Sequence, residues 1–217
     1  MMRTAAQWLR ILLACDVAPT VAALWAEVFA DEISSGTFSK GDTDMADFLP
    51  NVLHESNALQ RMEESLNYAA DALVSVFGIH RITPAQAQKV GRIHGKQAAD
   101  QRAIANIVYG GEWGRANLGN ILADDGWTYR GRSPIQITGR QNYHRVGDLI
   151  GQNLVGIPDL LSQPRFALEA CIAWWEDRIP DSLLGETTAI RKRVNGGTLG
   201  LAEVQALTLK AKAALKE

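Results

Sequence analysis

The stretch His54–Tyr68 reads HESNALQRMEESLNY and carries three acids, Glu55, Glu63 and Glu64. Two carboxyl groups, one acting as acid and one as base, are the minimum equipment for hydrolysing a glycosidic bond. Glu55 and Glu64 stand nine positions apart, so on one unbroken helix their side chains would point to opposite sides. If both serve one site, the helix that carries Glu55 must end before Glu64, and Ser56-Asn57 are suited to ending it. Spacing alone favours two solvated glutamates on a helix surface.

The residues on either side of this stretch predict mainly helices. Before it, Asp47 is a typical N-cap for a helix that holds Pro50 in its first turn and ends at His54-Glu55. After it, a helix is expected over 67–77. Thr83 then opens another helix through a capping box, with proline at the first helical position.

Further along the chain, glycine and β-branched residues interrupt the helical pattern. The run GGEWG at 110–114 predicts a glycine-rich loop that continues as a polar loop to Trp127. The segment YRGRSPIQITG at 129–139 contains proline and three β-branched residues, which favour an extended conformation. An apolar helix over 164–178 and two further helices complete the chain. The predicted fold class is mainly α, with at most a small β-hairpin.

Composition describes an ordinary globular chain that forms one domain over 1–217. Hydrophobic residues make up 47% of its 217 residues and charged residues 21%. The net charge of −2 argues against nucleic acid as a partner bound by bulk electrostatics. Cys15 and Cys171 are too few for a disulfide framework and are interpreted as buried thiols. Residues 1–44 form an N-terminal helical part that either completes the fold or binds the substrate polymer, and no separate binding module is expected.

The N-terminal run MMRTAAQWLRILLAC bears a weak likeness to a signal sequence. Arg10 interrupts its apolar residues and no small-residue cleavage site follows, so an amphipathic helix is the preferred interpretation. No apolar run is long enough to cross a bilayer, and no stable membrane insertion is expected. The protein is therefore expected to be made in the cytoplasm, and any target outside it would be reached by a route that this sequence does not encode.

Several other residues that could carry chemistry have simpler explanations. A zinc site needs ligands at short spacing, whereas the four histidines are scattered at positions 54, 80, 94 and 144. No metal or other cofactor is therefore expected, and a zinc amidase is a weak alternative. Glu63 is interpreted as a solvated surface acid. The arginines at 130, 132, 140 and 145 could bind anions of a substrate, although at least two are expected to be structural.

Five motifs occur in a fixed order. They are HES (54–56), LNY (66–68), ANIVYGG (105–111), DGWTYRGRSPIQITGRQNY (125–143) and RVNGG (193–197). In this order and form the chain resembles glycoside hydrolase family 19, which contains chitinases and many phage endolysins. The short length, the LNY form after the second acid and the lack of the plant enzymes' disulfides resemble the endolysin branch.

The resemblance implies an α-helical, lysozyme-like bilobal fold and an inverting mechanism. Glu55 matches the general acid, and Glu64 matches the general base. Thr138 stands where the family places a hydroxyl residue that helps to hold the nucleophilic water. Contacts with sugar, or ordering of the site, are implied for His54, Asn67, Tyr68, Tyr129, Arg132, Gln136, Asn142 and Asn195.

The inverting mechanism sets demands on the two acids. Their carboxyl groups must lie roughly 6.5–9.5 Å apart to leave room for a water. Glu55 must carry a proton near neutral pH, so we expect it partly buried against apolar groups, with Glu64 wetter and ionised. Ser133 departs from the family, which usually has glycine there, and its side chain could restrict φ.

The sequence thus predicts an endolysin-type peptidoglycan hydrolase that causes cell lysis. It would cleave β-1,4 bonds between N-acetylmuramic acid and N-acetylglucosamine by inverting acid/base catalysis. A chitinase acting on N-acetylglucosamine polymers is the nearest alternative, and a non-catalytic glycan-binding protein of the same fold is another. The expected partner is the peptidoglycan glycan strand. We expect a monomer that reaches the periplasm or cell wall on release.

Overall fold

The structure is a computed structural model that describes residues 3–216. Helices dominate this range, and pairing between extended residues is limited there to isolated bridges such as Arg132 with Ile137. The predicted mainly α fold class is therefore confirmed. Within the same range, no helix combines the length and the apolar character that crossing a membrane requires.

Twelve α-helices lie within residues 3–216. They are α1 Ala5–Ala14, α2 Pro19–Glu32, α3 Asp42–Glu55, α4 Ala70–Phe77, α5 Pro84–Val90, α6 Gln101–Val108, α7 Gly111–Leu118, α8 Asp125–Thr128, α9 Arg140–Ile150, α10 Pro164–Arg178, α11 Thr187–Asn195 and α12 Leu201–Ala214. Two short 3-10 helices lie at Pro158–Ser162 and Asp181–Leu183. The predicted capping box at Thr83 is present, because Thr83 Oγ1 accepts the Gln86 N–H and the Gln86 side chain accepts the Thr83 N–H.

The described residues divide into two compact units. The first unit contains the described residues up to Met62, the short segment Ser133–Gln136 and the described residues from Leu160 onward. The second unit contains Glu63–Arg132 and Ile137–Asp159.

The core of the first unit is built from both ends of the chain. Trp8 and Phe29 meet edge to face with ring centroids 5.1 Å apart, and Phe48 meets Trp175 in the same way at 5.5 Å. Each buried side chain of this size contributes roughly 1.5–3 kcal/mol through the hydrophobic effect. α1 and α2 therefore pack into the same hydrophobic cluster as α3 and α10. Cys15 and Cys171 are free and buried, as predicted.

The core of the second unit is a separate cluster formed mainly by α4, α5 and α6. Leu66, Leu73 and Ile104 are fully buried in it. An aromatic ladder borders the cluster: Phe77 meets Tyr68 at 5.2 Å and Tyr109 at 6.1 Å between ring centroids, both edge to face. This packing holds the Tyr109 ring at the C-terminal end of α6, from which its hydroxyl reaches Glu64.

Helix α3 begins at Asp42, so the prediction of Asp47 as its N-cap is wrong. Asp47 lies inside the helix, is buried, and accepts the Gly185 N–H at 2.6 Å. Pro50 therefore occupies the helix interior, a position that costs about 3 kcal/mol in an isolated helix. Every residue from Asp44 to Leu53 is buried, and this burial outweighs the local cost.

The helix expected over 67–77 begins only at Ala70. The preceding backbone pairs with Arg92 instead, because the Arg92 N–H donates to Tyr68 O at 2.8 Å and the Ala70 N–H donates to Arg92 O at 3.0 Å. Gly78 ends the helix as predicted, with a φ of 84°.

The long loop expected over 110–127 is wrong, because α7 and α8 occupy most of it. Glycine in this segment permits close packing. A Cβ on Gly114 would lie 1.9 Å from Tyr109 O, so only glycine lets α7 approach the preceding carbonyl group. The number of glycines predicted a loop. In the structure, the absence of a side chain at Gly114 instead lets α7 begin close to Tyr109 O.

The segment expected to be extended is a tight turn. Arg132 and Ile137 exchange both backbone hydrogen bonds, at 3.1 and 2.8 Å, and close the residues between them into a loop. Ser133 and Gln136 adopt left-handed φ values of 67° and 57°. The predicted small hairpin is thus reduced to one bridged pair, because left-handed residues turn the chain too sharply for a strand.

Candidate active site

Glu55 is the last residue of α3. The helix stops there because the three residues after Ser56 adopt left-handed φ values of 51°, 53° and 63°. Ser56 stabilises the stop, since its hydroxyl accepts the Leu59 N–H at 2.8 Å. The prediction that the helix ends between Glu55 and Glu64 is confirmed, and the ending lies at Ser56-Asn57.

The immediate partner of Glu55 is the guanidinium group of Arg191. Nη1 of Arg191 lies 2.5 Å from Glu55 Oε1, and the two side chains are 2% and 22% exposed. Arg191 is fixed in turn, because its Nε donates to Leu199 O at 2.8 Å and its Nη1 donates to Asn51 Oδ1 at 3.4 Å. Glu55 is partly buried, as expected, but the immediate partner of its carboxyl group is a cation, which the prediction did not include. A buried cation is its neighbour because α11 carries arginine on its inward face.

His54 and Asn195 contact the same short loop between α11 and α12. The His54 ring packs directly on Gly200, where a Cβ would lie 2.0 Å from Nε2. The Asn195 side chain closes the loop by donating to Leu199 O at 2.9 Å and accepting the Gly197 N–H at 2.8 Å. The first unit therefore gives both residues structural contacts, and their predicted contacts with sugar stay predictions.

Glu64 is half-buried and held by neutral donors. Its Oε1 accepts the Gly131 N–H at 2.5 Å, and its Oε2 accepts the Tyr109 hydroxyl at 2.7 Å. The backbone pairing is reciprocal, because the Glu64 N–H donates to Gly131 O at 2.9 Å. Burial and the neighbouring Glu64 carboxylate raise the pKa of Tyr109 well above its usual range, so the phenol keeps its proton and acts as a donor.

Glu63 is an ion-pair partner, so its interpretation as a solvated surface acid is wrong. Its Oε2 accepts from Arg130 Nη2 at 2.6 Å, and its Oε1 lies 3.6 Å from Arg132 Nε. Arg130 also stacks on Trp127, with the guanidinium carbon 4.0 Å from the ring centroid. Successive side chains in extended backbone point to opposite sides, and Glu63 and Glu64 therefore contact different partners.

Tyr129 and Arg132 are 4% and 2% exposed, and their polar groups are used inside the second unit. The Tyr129 hydroxyl donates to Val155 O at 3.1 Å. The Arg132 guanidinium donates to three acceptors, namely Thr128 O at 2.7 Å, Tyr143 Oη at 2.9 Å and Asp159 Oδ1 at 2.7 Å. Their polar groups are thus engaged within the unit, and their predicted contact with sugar stays a prediction. They support the turn that contains Gly131.

The remaining predicted residues differ in their exposure. Thr138 and Asn142 meet, since Asn142 Nδ2 donates to Thr138 O at 2.8 Å and both side chains are half-buried. Asn67 is exposed and Tyr68 is half-buried, so a ligand can reach both. Gln136 is half-buried and donates to Ser133 O at 3.0 Å.

The arginines of the central motif are mostly structural, as expected for at least two of them. Arg130 and Arg132 pair with Glu63, and Arg140 lies 3.5 Å from Asp125. Over residues 3–216 no group of three or more His, Cys, Asp or Glu side chains is arranged to hold a metal ion.

The sequence interpretation overlooked two residues that hold the predicted catalytic pair. Arg191 carries no motif of its own, although an arginine between the apolar Ile190 and Val194 on a helix is a signal of partial burial. Tyr109 lies inside the quoted ANIVYGG motif, but only the structure shows that its hydroxyl reaches Glu64.

Comparison with known proteins finds relatives that match either most of this chain or a shorter part of it. Residues 110–181 match the family model described as "Chitinase class I". A "Glycosyl hydrolase family 19 domain-containing protein" of Haemophilus influenzae is 30% identical over 156 residues, which is 72% of this chain and 72% of that protein. "Chitinase 11" of Oryza sativa subsp. japonica is 41% identical over 64 residues, or 29% of this chain and 25% of the plant protein.

A solved structure supports the fold. The crystal structure of a chitinase C mutant is similar with a TM-score of 0.53 at 16% identity, covering 99% of this chain and 93% of that chain. At this identity the likeness concerns the fold alone, and it confirms the predicted helical, lysozyme-like class.

Proposed function

Because this chain belongs to glycoside hydrolase family 19, we propose that it is an endolysin-type hydrolase of peptidoglycan. Its target would be the β-1,4 bonds between N-acetylmuramic acid and N-acetylglucosamine. The observation that carries the catalytic part is the placement of Glu55 and Glu64 on separate elements with different partners, as an acid and a base require. The LNY form at 66–68 and the absence of a disulfide between Cys15 and Cys171 support the endolysin branch.

In the proposed reaction, Glu55 donates its proton to the glycosidic oxygen as the bond from that oxygen to the anomeric carbon breaks. Glu64 takes a proton from a water whose oxygen forms the new bond to the same carbon from the opposite face. One displacement therefore inverts the anomeric configuration. Thr138 is proposed to orient this water, since a hydroxyl can accept or donate a hydrogen bond without adding charge. Exchange of protons with solvent then restores both carboxyl groups.

The partners of each acid fit these roles in different ways. Tyr109 and the Gly131 N–H stabilise Glu64 as a carboxylate, which only accepts hydrogen bonds. Arg191 lies 2.5 Å from Glu55 Oε1 and is proposed to orient this carboxyl group toward the substrate.

Separate digestion of purified peptidoglycan and of soluble chitin oligomers would test the substrate. We expect new reducing ends from peptidoglycan, identified by mass spectrometry, and an initial product of inverted configuration in proton NMR spectra. Cleavage of chitin oligomers alone would reject the peptidoglycan assignment. Retained configuration would reject the single displacement.

A chitinase is the second candidate, and the names of the plant relatives favour it. Its chemistry would be identical, with unmodified N-acetylglucosamine chains as substrate. As part of the endolysin proposal, the enzyme is a monomer stored in the host cytoplasm and released to the cell wall at lysis.

A further inference from the structure

One arginine of the second unit differs from the others in its partner. The arginines of this unit that are buried or half-buried are Arg81, Arg130, Arg132 and Arg140. The last three lie 2.6, 2.7 and 3.5 Å from a carboxylate oxygen, respectively. Arg81 makes no ion pair with an acid among residues 3–216. Its positive charge is therefore not matched by an acid within the described part of the chain.

The partner of Arg81 is the aromatic ring of Trp113. The guanidinium carbon lies 3.5 Å from the ring centroid, the distance of direct stacking. The indole ring has no oxygen acceptor, so the stack leaves the guanidinium N–H groups unused. Nε is buried without an acceptor within residues 3–216, whereas Nη1 and Nη2 lack a partner there but keep contact with solvent. The stack therefore holds a partly desolvated cation whose outer N–H groups a ligand can reach.

The stack lies in the same part of the second unit as Glu64. Phe77 meets the ring of Tyr109 at 6.1 Å between centroids. Four residues further along each segment, Arg81 meets Trp113. The Tyr109 hydroxyl donates to Glu64. Burial and the Glu64 carboxylate raise the pKa of Tyr109, while the charge of Arg81 acts in the opposite direction, as a nearby cation does.

We propose that Arg81, stacked on Trp113, is a carboxylate-binding subsite that favours an anionic wall polymer over neutral chitin. Nη1 and Nη2 of a planar guanidinium present two parallel N–H groups, which match the two oxygens of a carboxylate. Partial burial strengthens this attraction, because less water screens the charges.

The source of the carboxylate rests on the proposed function. In peptidoglycan, carboxylates are carried by the peptide attached to N-acetylmuramic acid or, where that peptide is absent, by the lactyl group itself. A chain of N-acetylglucosamine carries none. The same subsite would therefore separate the two candidate substrates by charge.

Calorimetric titration tests the subsite, in a Glu55→Gln background so that no ligand is consumed. The ligands are soluble peptidoglycan fragments that carry their peptides, and the same fragments after carbodiimide coupling of their carboxyl groups to methylamine. Adding Arg81→Gln should raise the Kd of the untreated fragments by about tenfold or more, as loss of a charge-assisted pair predicts. The Kd of the methylamide fragments should stay within about twofold, because they cannot form this pair.

Arg115→Gln is the matched control. Arg115 is exposed on α7, two positions after Trp113, so the two side chains do not face each other on the helix. This variant removes the same charge from the same unit, and both Kd values should stay within about twofold of the background. An equal loss of affinity in Arg115→Gln would overturn the subsite, because net charge alone would then explain it.

The remaining outcomes are equally decisive. Unchanged binding of the untreated fragments by Arg81→Gln overturns the subsite, as does an equal loss for both kinds of fragment, because Arg81 would then act only through the fold. Fragments freed of peptide by an amidase identify the source: a loss confined to peptide-bearing fragments assigns the peptide carboxylates, and a loss for peptide-free fragments assigns the lactyl carboxylate. If the wild type cleaves no peptidoglycan but Arg81→Gln still loses carboxylate-dependent binding, the proposed function fails and the subsite stands.

Discussion

Glu55 and Glu64 have partners of different kinds, each within its own unit. Glu55 in the first unit stands at a helix end, and its partner is a charged side chain, Arg191. Glu64 in the second unit stands in irregular backbone and is held by a peptide N–H and the phenol of Tyr109. One carboxyl group thus depends on an ion pair and the other on neutral donors.

The proposed roles of Glu55 as acid and Glu64 as base rest on this difference in their partners. A neutral donor stabilises a carboxylate without supplying a competing charge, and a peptide N–H is fixed by the fold. We therefore expect the largest effect when Glu55 is changed, smaller effects when Arg191 or Tyr109 is changed, and the smallest effect at the turn after Gly131.

The largest effect is expected when the proton donor is removed. Glu55→Gln keeps the shape of the side chain, and loss of general acid catalysis should lower the rate of new reducing ends by about 10²–10⁴-fold. Glu203 is exposed on α12 of the same unit, so Glu203→Gln serves as the control and should retain full activity. Undiminished clearance of outer-membrane-stripped cells by Glu55→Gln would sink the catalytic assignment of this residue.

Loss of Arg191, the charged partner of Glu55, should lower the stability of the protein as well as its rate of cleavage. Arg191→Met should lower the free energy of unfolding by about 1–3 kcal/mol, because it leaves Glu55 without its cation and removes one of the two donors to Leu199 O. In a Glu55→Gln background the same change should cost less, and urea denaturation of all four proteins measures the difference. Equal costs in both backgrounds would mean that the ion pair contributes nothing to the fold.

Removal of the Tyr109 hydroxyl, a neutral donor to Glu64, should lower the rate of cleavage more than the stability. Tyr109→Phe keeps the ring against Phe77 but removes the donor to Glu64, so kcat should fall about tenfold with little change in KM. Tyr129→Phe is the comparison variant, because it also removes one buried tyrosine hydrogen bond in the second unit, donated to Val155 O rather than to Glu64. Equal activity losses in the two variants would show that Tyr109 acts only through stability.

Helix boundaries were predicted well wherever local signals govern them. Thr83 and Pro164 begin their helices as the capping box and proline rules predict, and Gly78 ends α4. Predictions failed where tertiary burial overrides local preference. Pro50 is tolerated inside α3 because the helix is buried on nearly every side.

The sequence predicted residues of the candidate site only where they belong to the motifs of the family. The resemblance supplied Glu55, Glu64 and Thr138, and the requirement for a helix end between the two acids followed from geometry alone. Arg191 was missed because an ion pair between residues far apart in sequence leaves no trace in local spacing. The internal partners of Arg132, such as Asp159, could not be predicted either, because motif membership does not say whether a residue contacts substrate or supports a turn.

The smallest effect is expected at the turn that follows Gly131. Ser133 is fully buried with a φ of 67°, a conformation that costs a residue with a side chain roughly 1–2 kcal/mol relative to glycine. Its hydroxyl accepts only a weak bond from Cys171 Sγ at 3.9 Å. Ser133→Gly should therefore raise the free energy of unfolding by about 0.5–1 kcal/mol, once the greater freedom of glycine in the unfolded chain is subtracted. Ser133→Ala keeps the strain and removes the hydroxyl, so thermal denaturation should rank it below Ser133→Gly; the reverse order would mean that the Cys171 contact, rather than the backbone, decides stability at this turn.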